Sequence, residues 1–279
     1  MNESPVRIVF CTNGGLHGAL VLDRLLASSR AKVTGVVLSS RMLRPADGFL
    51  NGAVAYIRRC GVAYALYLWF STSLADLLLR FSPLKPVCLQ ATARGIPLIT
   101  TRRINDAACR RFVGQAAPDL LVSAFFNQHV GQPLVDLARL GGVNIHPSPL
   151  PAFRGVDPAF FAALQRAGER GVSVHRIAPE FDAGDILLRE VRAANPASSV
   201  WSSTAHSYDR GGELLVEALK AIAQGAEYKP QTNGGTYDSW PTPVQVFELR
   251  RLGVRLWTLG DAVNLVRGRF PGRRPTRGN

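Results

Sequence analysis

The fold is decided by the stretch VRIVFCTNGGLHGAL, residues 6–20, near the start of the chain. Residues 6–10 form a short β-branched and apolar run, which is typical of a buried strand. Residues 11–15 close this run with two adjacent glycines, a common signal for a turn. Leucines at helical spacing follow the turn, namely Leu16, Leu20, Leu22, Leu25 and Leu26. The stretch therefore predicts a strand, a glycine turn and a helix.

Four further apolar runs repeat this pattern, and each follows a helical stretch: residues 33–38, 96–100, 120–123 and 143–146. Strands that alternate with helices predict an α/β fold with a doubly wound, mostly parallel sheet. Pro97 lies near the start of its run, so we expect that strand to begin there or to lie at an edge.

The second half of the chain departs from this alternation. Residues 171–177 and 186–191 are two strand-like runs with no helix between them. Such a pair predicts antiparallel strands at one edge of the sheet. A last amphipathic helix is predicted over residues 200–224.

Composition places the chain among ordinary globular proteins. Its 279 residues are 47% hydrophobic and 19% charged, which is enough apolar material for a substantial core. The four cysteines lie far apart without a C-x-x-C pair, and no signal peptide precedes the first strand. We therefore expect reduced thiols in a cytoplasmic protein and no metal site.

The formal net charge of +13 is carried by arginine, since only four of the 33 basic residues are lysines. Such a charge can attract nucleic acid, anionic lipid or an acidic ligand. The sequence has neither a helix-turn-helix signal nor interleaved aromatic and basic residues, so we expect a solvated basic tail and no nucleic-acid partner. The last thirty residues hold eight arginines: Arg250, Arg251, Arg255, Arg267, Arg269, Arg273, Arg274 and Arg277.

An unusual apolar segment lies within a predicted helical insertion at about residues 48–80. Residues 60–75 (CGVAYALYLWFSTSLA) contain no charge. A membrane span usually needs about twenty apolar residues, and Ser71, Thr72 and Ser73 interrupt this run. We expect a helix buried within the monomer or at the interface of a homodimer formed through residues 60–79, and no membrane. An exposed patch of this size would demand a partner.

The richest polar stretch is GVNIHPSPLPAFRG, residues 142–155. Asn144 and His146 are two residues apart in a strand, so their side chains point to the same face just where the strand ends. The carboxyl ends of parallel strands are where open α/β sheets bind ligands. The alternative is that both are satisfied structural polar groups.

A second polar stretch, EFDAGDI at residues 180–186, follows the strand-like run 171–177. Asp182 in this stretch could be a third functional group. Taken alone, Asp-Ala-Gly-Asp is also a good turn, with Asp182 bonding backbone amides and Gly184 taking positive φ.

Taken together, these stretches resemble the 10-formyltetrahydrofolate-dependent formyltransferases. That family carries N-x-H-x-S-x-L-P-x-x-[RK]-G and, some thirty-five residues later, a D-x-G loop. Residues 171–175 (GVSVH) are similar to the family's G-V-T-x-H strand. The matching residues are Asn144, His146, Ser148, Leu150, Pro151, Arg154, Gly155, Asp182 and Gly184.

The resemblance covers about residues 6–225 and implies a Rossmann-like fold. It suggests a catalytic domain over residues 1–225, followed by a short C-terminal extension over 226–279 with a basic tail. The resemblance also implies that Leu150-Pro151 is a cis peptide, because a tight turn is needed there. The family usually has leucine where this chain has Pro149, a change that would reshape the acceptor pocket.

The resemblance and the chemistry of formyl transfer together imply the catalytic roles. Transfer passes through an oxyanion, to which the Asn144 amide would donate a hydrogen bond, worth about 3 kcal/mol. His146 would donate as well and handle protons, and Asp182 would orient its imidazole and favour its charged form.

The family's donor, 10-formyltetrahydrofolate, implies a pterin site in two loops. The expected donor-binding residues are Phe126, Asn127, Gln128, His129, Ala178, Glu180 and Phe181. Phe126 is by composition alone more typical of a core residue. The expected acceptor contacts are Asn13 and His17 in the glycine turn, which could also hold an anion, with Ser148 and Arg154 of the motif.

The family resemblance also suggests which class of acceptor to expect. Methionyl-tRNA formyltransferases carry a further β-barrel domain of about a hundred residues, whereas about fifty-five residues follow the last predicted helix here. We expect one of the shorter members, which act on small amines such as amino sugars, amino acids or natural-product amines. Three alternatives stay open: hydrolysis of 10-formyltetrahydrofolate, a non-catalytic folate-binding or regulatory protein, and a scaffold docked to a membrane through residues 61–79.

Overall fold

A computed structural model describes residues 4–41, 48–232, 235 and 237–270. A seven-stranded sheet forms its centre, and a separate two-stranded ladder joins two short segments. The strands are β1 (Val6–Thr12), β2 (Ala31–Ser39), β3 (Leu98–Thr101), β4 (Leu120–Ala124), β5 (Gly142–His146), β6 (Arg154–Gly155), β7 (Glu169–Arg176), β8 (Ile186–Ala193) and β9 (Tyr237–Asp238).

Helices cover both faces of the large sheet. Their bounds are α1 (Gly15–Ala27), α2 (Phe49–Cys60), α3 (Val62–Trp69), α4 (Ala75–Leu79), α5 (Val87–Thr92), α6 (Ala107–Ala116), α7 (Gln132–Val135), α8 (Pro158–Leu164), α9 (Val200–Ala223), α10 (Pro243–Arg251) and α11 (Leu259–Val266). A π-helical turn, Phe70–Leu74, joins α3 to α4.

The strand order of the large sheet is β3-β2-β1-β4-β5-β7-β8. The first five strands of this order are parallel, while β7 pairs antiparallel with both β5 and β8. The predicted doubly wound, mostly parallel sheet is thus confirmed, with its antiparallel pair at one edge. At the other edge, β3 begins at the residue after Pro97, so the proline removes no donor from a central strand.

Alternation along β1 explains why helices lie on both sides. Ile8 and Phe10 point into the larger hydrophobic core with Leu16 and Leu20 of α1. Val9 and Cys11 point the other way, into a smaller core built with α6 and α7. A strand that is buried on both faces needs a continuous apolar run, which is the pattern seen in residues 6–10. All four cysteines are free thiols.

The segment from α2 to α4 is only partly buried within the chain, which contradicts the predicted burial within the monomer, while burial at a homodimer interface stays a prediction. Residues 62–79 form one continuous helical stretch, and Tyr64, Phe70 and Leu79 on its inner side are buried in the larger core. Only a third of the stretch is buried, however, and Leu66 and Trp69 are exposed. Among the described residues it is the one helix that is long and apolar enough, judged by length and composition, to cross a membrane.

The C-terminal extension packs against the rest of the chain. Val246, Leu249 and Leu265 are buried in the larger core, and Trp257 stacks on Phe70 with 4.3 Å between ring centroids. Strand β9 pairs with β6, directly after the PSPLPAF loop. The extension therefore supports the loop that follows the polar end of β5. The part of the predicted basic tail beyond residue 270 lies outside the described residues.

Candidate active site

The carboxyl end of β5 brings the predicted asparagine and histidine to one place. Asn144 and His146 both lie on this strand, next to the antiparallel strand β7. His146 is buried and Asn144 is half-buried. Asn144 stands opposite His175 in the strand register, and its Nδ2 lies 3.1 Å from Nε2 of that histidine.

Asp182 approaches the same point from the loop between β7 and β8. The backbone of Asp182 has φ +55°, and its Oδ2 accepts a hydrogen bond of 3.0 Å from the backbone N–H of Gly155. Gln231 secures the loop by donating from Nε2 to the carbonyl oxygens of Asp182 and Gly184. Gly155 thus holds the carboxylate and Gln231 holds the backbone of its loop.

His146 has an acceptor at each ring nitrogen. Its Nδ1 lies 3.2 Å from Oδ1 of Asp182, and its Nε2–H donates to the carbonyl oxygen of Phe153 at 3.1 Å. Burial lowers the pKa of His146, but the charge of Asp182 and these two hydrogen bonds outweigh it, so the net pKa is raised. Two acceptors on one ring fit the imidazolium, in which both nitrogens donate.

The interaction with His146 also shifts the pKa of Asp182. Burial alone would raise its pKa, but the charge and hydrogen bond of His146, with a smaller contribution from His175, hold the pKa below its ordinary value. Both shifts therefore favour an ionised carboxylate beside a protonated imidazole in this buried environment.

His175 is a neutral neighbour that the sequence reasoning noted only as part of a strand motif. Its Nδ1–H donates to the carbonyl oxygen of Arg176 at 2.8 Å, which leaves Nε2 to accept from the Asn144 amide. Burial, with repulsion from His146, lowers the pKa of His175 to about 4. The i, i+2 spacing of Ser173 and His175 in the sequence is the signal that could have found it. These two residues stand opposite His146 and Asn144, so both lie on the face of the sheet that carries the site.

The motif residues between β5 and β6 hold the loop in shape. Leu150-Pro151 is a cis peptide, as expected. Ser148 is buried, and its Oγ donates to the carbonyl oxygen of Ala152 at 2.7 Å. Arg154 is half-buried, and its Nη2 donates to the carbonyl oxygen of Gly235. The structure thus places Ser148 and Arg154 in the loop that borders the site and gives both an internal partner.

The loop after β4 contains four of the seven residues expected to hold the donor. Asn127 accepts from Ser39 and donates to the carbonyl oxygen of Arg41, each at 2.7 Å. Gln128 is buried and bonds the backbone of Thr101 and Ile104. These contacts tie the loop to the ends of the neighbouring strands.

The two predicted pterin loops meet. The rings of His129 and Phe181 lie edge to face with 5.1 Å between centroids. Phe181 and Glu180 are exposed, and Ala178 packs against Gly184. Phe126 is half-buried against the smaller core. The buried Nε2 of His129 has no hydrogen-bond partner within the described residues, so a polar group of a ligand could satisfy it.

A cavity of about 380 Å³ lies beside this loop. It includes Gln128 and His129, and the basic residues Arg41 and Arg103 line it as well. Within the described residues, no group of three or more His, Cys, Asp or Glu side chains is arranged to hold a metal ion.

At the glycine turn after β1, the position where an anion could bind is occupied by a side chain of the protein. The backbone N–H of Gly15 donates to Oδ1 of Asp76 at 3.0 Å, so a carboxylate from α4 sits at the start of α1. Asn13 bonds the β4 loop through Phe125 and Asn127. His17 is 1% exposed and packs 4.6 Å from the Phe125 ring, so it lies behind the turn instead of facing the cleft.

Fold and site together define an α/β domain of the Rossmann-like class whose polar groups gather at the carboxyl edge of the sheet. A profile described as formyl transferase matches residues 75–219, just over half of the chain. The chain belongs to the family of 10-formyltetrahydrofolate-dependent formyltransferases.

Curated relatives of the chain are methionyl-tRNA formyltransferases. The protein from Roseiflexus castenholzii is 31% identical over 221 residues, which cover 79% of this chain and 60% of the relative. The protein from Anaeromyxobacter sp. (strain K) is 34% identical over 139 residues, which cover 49% of this chain and 44% of the relative. The chain thus spans about half the length of the curated relatives it matches.

Solved structures share the fold. A sugar N-formyltransferase from Shewanella sp. superposes with a TM-score of 0.56 and 15% identity, covering 88% of this chain and 87% of that one. A phosphoribosylglycinamide formyltransferase from Bacillus halodurans gives a TM-score of 0.54 and 16% identity, covering 79% and 97%.

Proposed function

We propose that this chain transfers a formyl group from 10-formyltetrahydrofolate to the amine of a small-molecule acceptor. The observation that carries the proposal is the buried ion pair between His146 and Asp182, 3.2 Å apart, beside the amide of Asn144. An amide donor, a charged imidazole and a carboxylate are the groups that acyl transfer to nitrogen needs at one point.

Each side chain has a part in this reaction. When the amine attacks the formyl carbon, negative charge develops on the formyl oxygen. The Asn144 amide has two N–H groups; one donates to His175, and the second donates to this oxygen. The imidazolium of His146 places positive charge beside this oxygen, and its Nε2–H, which the Phe153 carbonyl oxygen holds in the free protein, later supplies a proton to the leaving folate nitrogen. Asp182 keeps His146 charged, receives through water the proton that the attacking amine loses, and returns it through water to His146, so that the ion pair is restored.

The donor fits the loops that meet at His129 and Phe181. The pterin has several ring nitrogens and an exocyclic amine, which suit the unpartnered Nε2 of His129 and the exposed edges of both loops. Arg41 and Arg103 border the adjoining cavity, where they attract the negatively charged glutamate end of a folate. The two arginines outnumber the one acidic lining residue, Asp106, so the charge of the cavity supports a folate donor.

The carboxylate of Asp76 restricts where an acceptor could bind a phosphate group. A phosphate bound at the start of α1 would have to displace Asp76 from the Gly15 N–H and would meet its negative charge. We therefore place no acceptor phosphate at this turn. Amino sugars, amino acids and natural-product amines all satisfy this condition, provided that any phosphate they carry lies elsewhere.

The test follows the fate of 10-formyltetrahydrofolate with a panel of amines, with a methionyl-tRNA included because the curated relatives carry that name. Free tetrahydrofolate formed only with a small amine supports the proposal. Release of formate without any amine would indicate a hydrolase, binding without turnover a non-catalytic folate protein, and reaction with the tRNA alone a tRNA enzyme.

A further inference from the structure

One row of apolar side chains on the helix 62–79 faces away from the core. Val62, Leu66 and Trp69 recur at helical spacing, and Leu77 continues the row two turns later. Their exposed fractions are 58%, 55%, 46% and 52%. The opposite side of the same helix is buried in the larger core. The helix is therefore apolar on both sides, and only the inner side has a partner among the described residues.

Neighbouring elements enlarge this surface. The helix α2 precedes it and exposes Leu50, Val54 and Ile57 at helical spacing. From the C-terminal extension, α10 exposes Val244 and Phe247, while α11 exposes Leu259 and Val263. These elements pack side by side, since Pro243 lies next to Gly61 and α11 contacts α4. We call the exposed apolar residues of α2 to α4, α10 and α11 the apolar face.

The chain segments that carry the apolar face also carry mostly basic charges. Residues 49–85 and 243–270 contain nine basic and three acidic side chains. Two of the three acids are engaged internally, because Asp76 accepts from Gly15 and Asp261 accepts from Thr258. The exposed basic side chains are Arg58, Arg59, Arg80, Lys85, Arg250, Arg251, Arg255, Arg267 and Arg269.

We infer that the apolar face docks the protein on the surface of an anionic lipid bilayer. Apolar and aromatic side chains bordered by arginine are the combination that binds the headgroup boundary, because burial of apolar area and attraction to anionic lipid act together. Trp69 and Phe247 supply aromatic groups for that boundary. The protein lies on the bilayer without spanning it, since the inner side of the helix 62–79 is part of the core.

Charge also favours lipid over a second copy of the chain. A symmetric dimer through the apolar face would bring two arginine-rich borders together, and like charges in juxtaposition oppose association. Lipid phosphates complement the same borders. This inference departs from the main sequence-based expectation of no membrane, because the sequence does not reveal that the outer row has no covering element among the described residues.

Flotation of the full chain with vesicles tests the inference. The probes are vesicles of phosphatidylcholine alone and of phosphatidylcholine mixed with an equal amount of phosphatidylglycerol. We expect binding to the anionic vesicles to exceed binding to the neutral ones by at least about tenfold, and to weaken at about 0.5 M salt. Absence of binding to anionic vesicles would overturn the inference.

Paired variants locate the contact. Leu66→Ser with Trp69→Ser should weaken vesicle binding about tenfold or more, whereas Leu137→Ser, an exposed apolar residue beside the smaller core, should leave it unchanged. Arg250→Ser with Arg251→Ser should weaken binding and reduce its salt dependence. The control is Arg110→Ser with Arg111→Ser, an exposed arginine pair on α6 across the sheet.

Sedimentation equilibrium without lipid tests whether the apolar face instead forms a dimer. A monomer that binds anionic vesicles supports the inference. A dimer that Leu66→Ser with Trp69→Ser dissolves would overturn it and identify the apolar face as a subunit interface. All the substituted side chains are exposed, so an unchanged thermal midpoint will show that the variants fold.

Discussion

The Asn144 amide donates to Nε2 of His175 across the antiparallel pair β5 and β7, with 3.1 Å between the two nitrogens. His175 is able to accept because its Nδ1–H is committed to the carbonyl oxygen of Arg176, and because its pKa of about 4 keeps the ring neutral. A neutral histidine thus sets the orientation of the amide that we propose donates to the oxyanion.

This relationship makes His175 a positioning residue. His175→Phe removes the acceptor, and we expect kcat to fall about tenfold, the equivalent of one hydrogen bond. His175→Gln keeps an oxygen that can accept from Asn144, so it should recover most of the loss. Steady-state kinetics of both variants measure this. Equal losses in the two variants would mean that His175 only fills space.

Removal of either proposed donor should have a larger effect. We expect Asn144→Ala and His146→Ala each to lower turnover by at least about a hundredfold, the loss typical of one oxyanion donor. Affinity for the folate donor should change little, because the donor is bound by the loops around His129 and Phe181. Single-turnover rates and folate binding by fluorescence separate the two quantities. Near wild-type turnover in either variant would contradict the proposed roles.

Stability should depend on pH through the ion pair. The pKa of His146 is raised, so its contribution is complete below the ordinary value of 6.5 and is lost as pH rises through the raised value. The pKa of Asp182 is lowered, so its contribution is present above the ordinary value of 3.8 and is lost as pH falls through the lowered value. The pair therefore stabilises the fold most between these two ordinary values.

Asp182→Asn tests this window, and asparagine tolerates the positive φ found there. The free energy of unfolding lost on substitution should be greatest at about pH 5 and smaller at about pH 9. Urea denaturation at both pH values measures the loss. A loss that stays constant or grows with pH would show that the ion pair is not its source.

Asp76 should destabilise the fold when it is ionised. Burial raises the pKa of Asp76 to about 6, although the hydrogen bond from the Gly15 N–H opposes the shift. Ionisation of this carboxyl therefore costs more in the folded state than in the unfolded chain, so stability falls as pH rises from 3.8 through 6. Asp76→Asn keeps an oxygen for Gly15 and removes the charge. We expect it to raise the free energy of unfolding by about 2 kcal/mol at pH 8 and to change it little below pH 4. Asp136→Asn, at an exposed position, controls for the loss of one charge. A destabilised Asp76→Asn at pH 8 would refute this account.

The sequence is most informative where local pattern and local structure coincide. The apolar run at residues 6–10 and the runs like it predict the strands, and the i, i+2 spacing of Asn144 and His146 places both at the end of β5. The motif also anticipates that Asp182 reaches His146, because a resemblance carries long-range information that spacing alone lacks.

What the sequence leaves open depends on contacts between distant segments. The partner of Asn144 is His175, thirty-one residues away, and the carboxylate at the start of α1 comes from Asp76, sixty-one residues away. Neither pairing has a local signature. Likewise, the apolar run at residues 60–75 reads the same whether one side or both sides are covered, so only the fold reveals the outer row.

The helix 62–79 connects the exposed apolar face to the glycine turn at the start of α1. Trp69 is exposed on its outer row, while the carbonyl of Ser71, two residues later, presses so closely on Gly15 that a β-carbon there could not be accommodated. One π-helical turn thus joins the outside of the protein to the beginning of α1. A displacement of this helix would therefore be transmitted to the start of α1, at the carboxyl end of β1, so side-chain replacements on the inner side of that turn would disturb the glycine turn first.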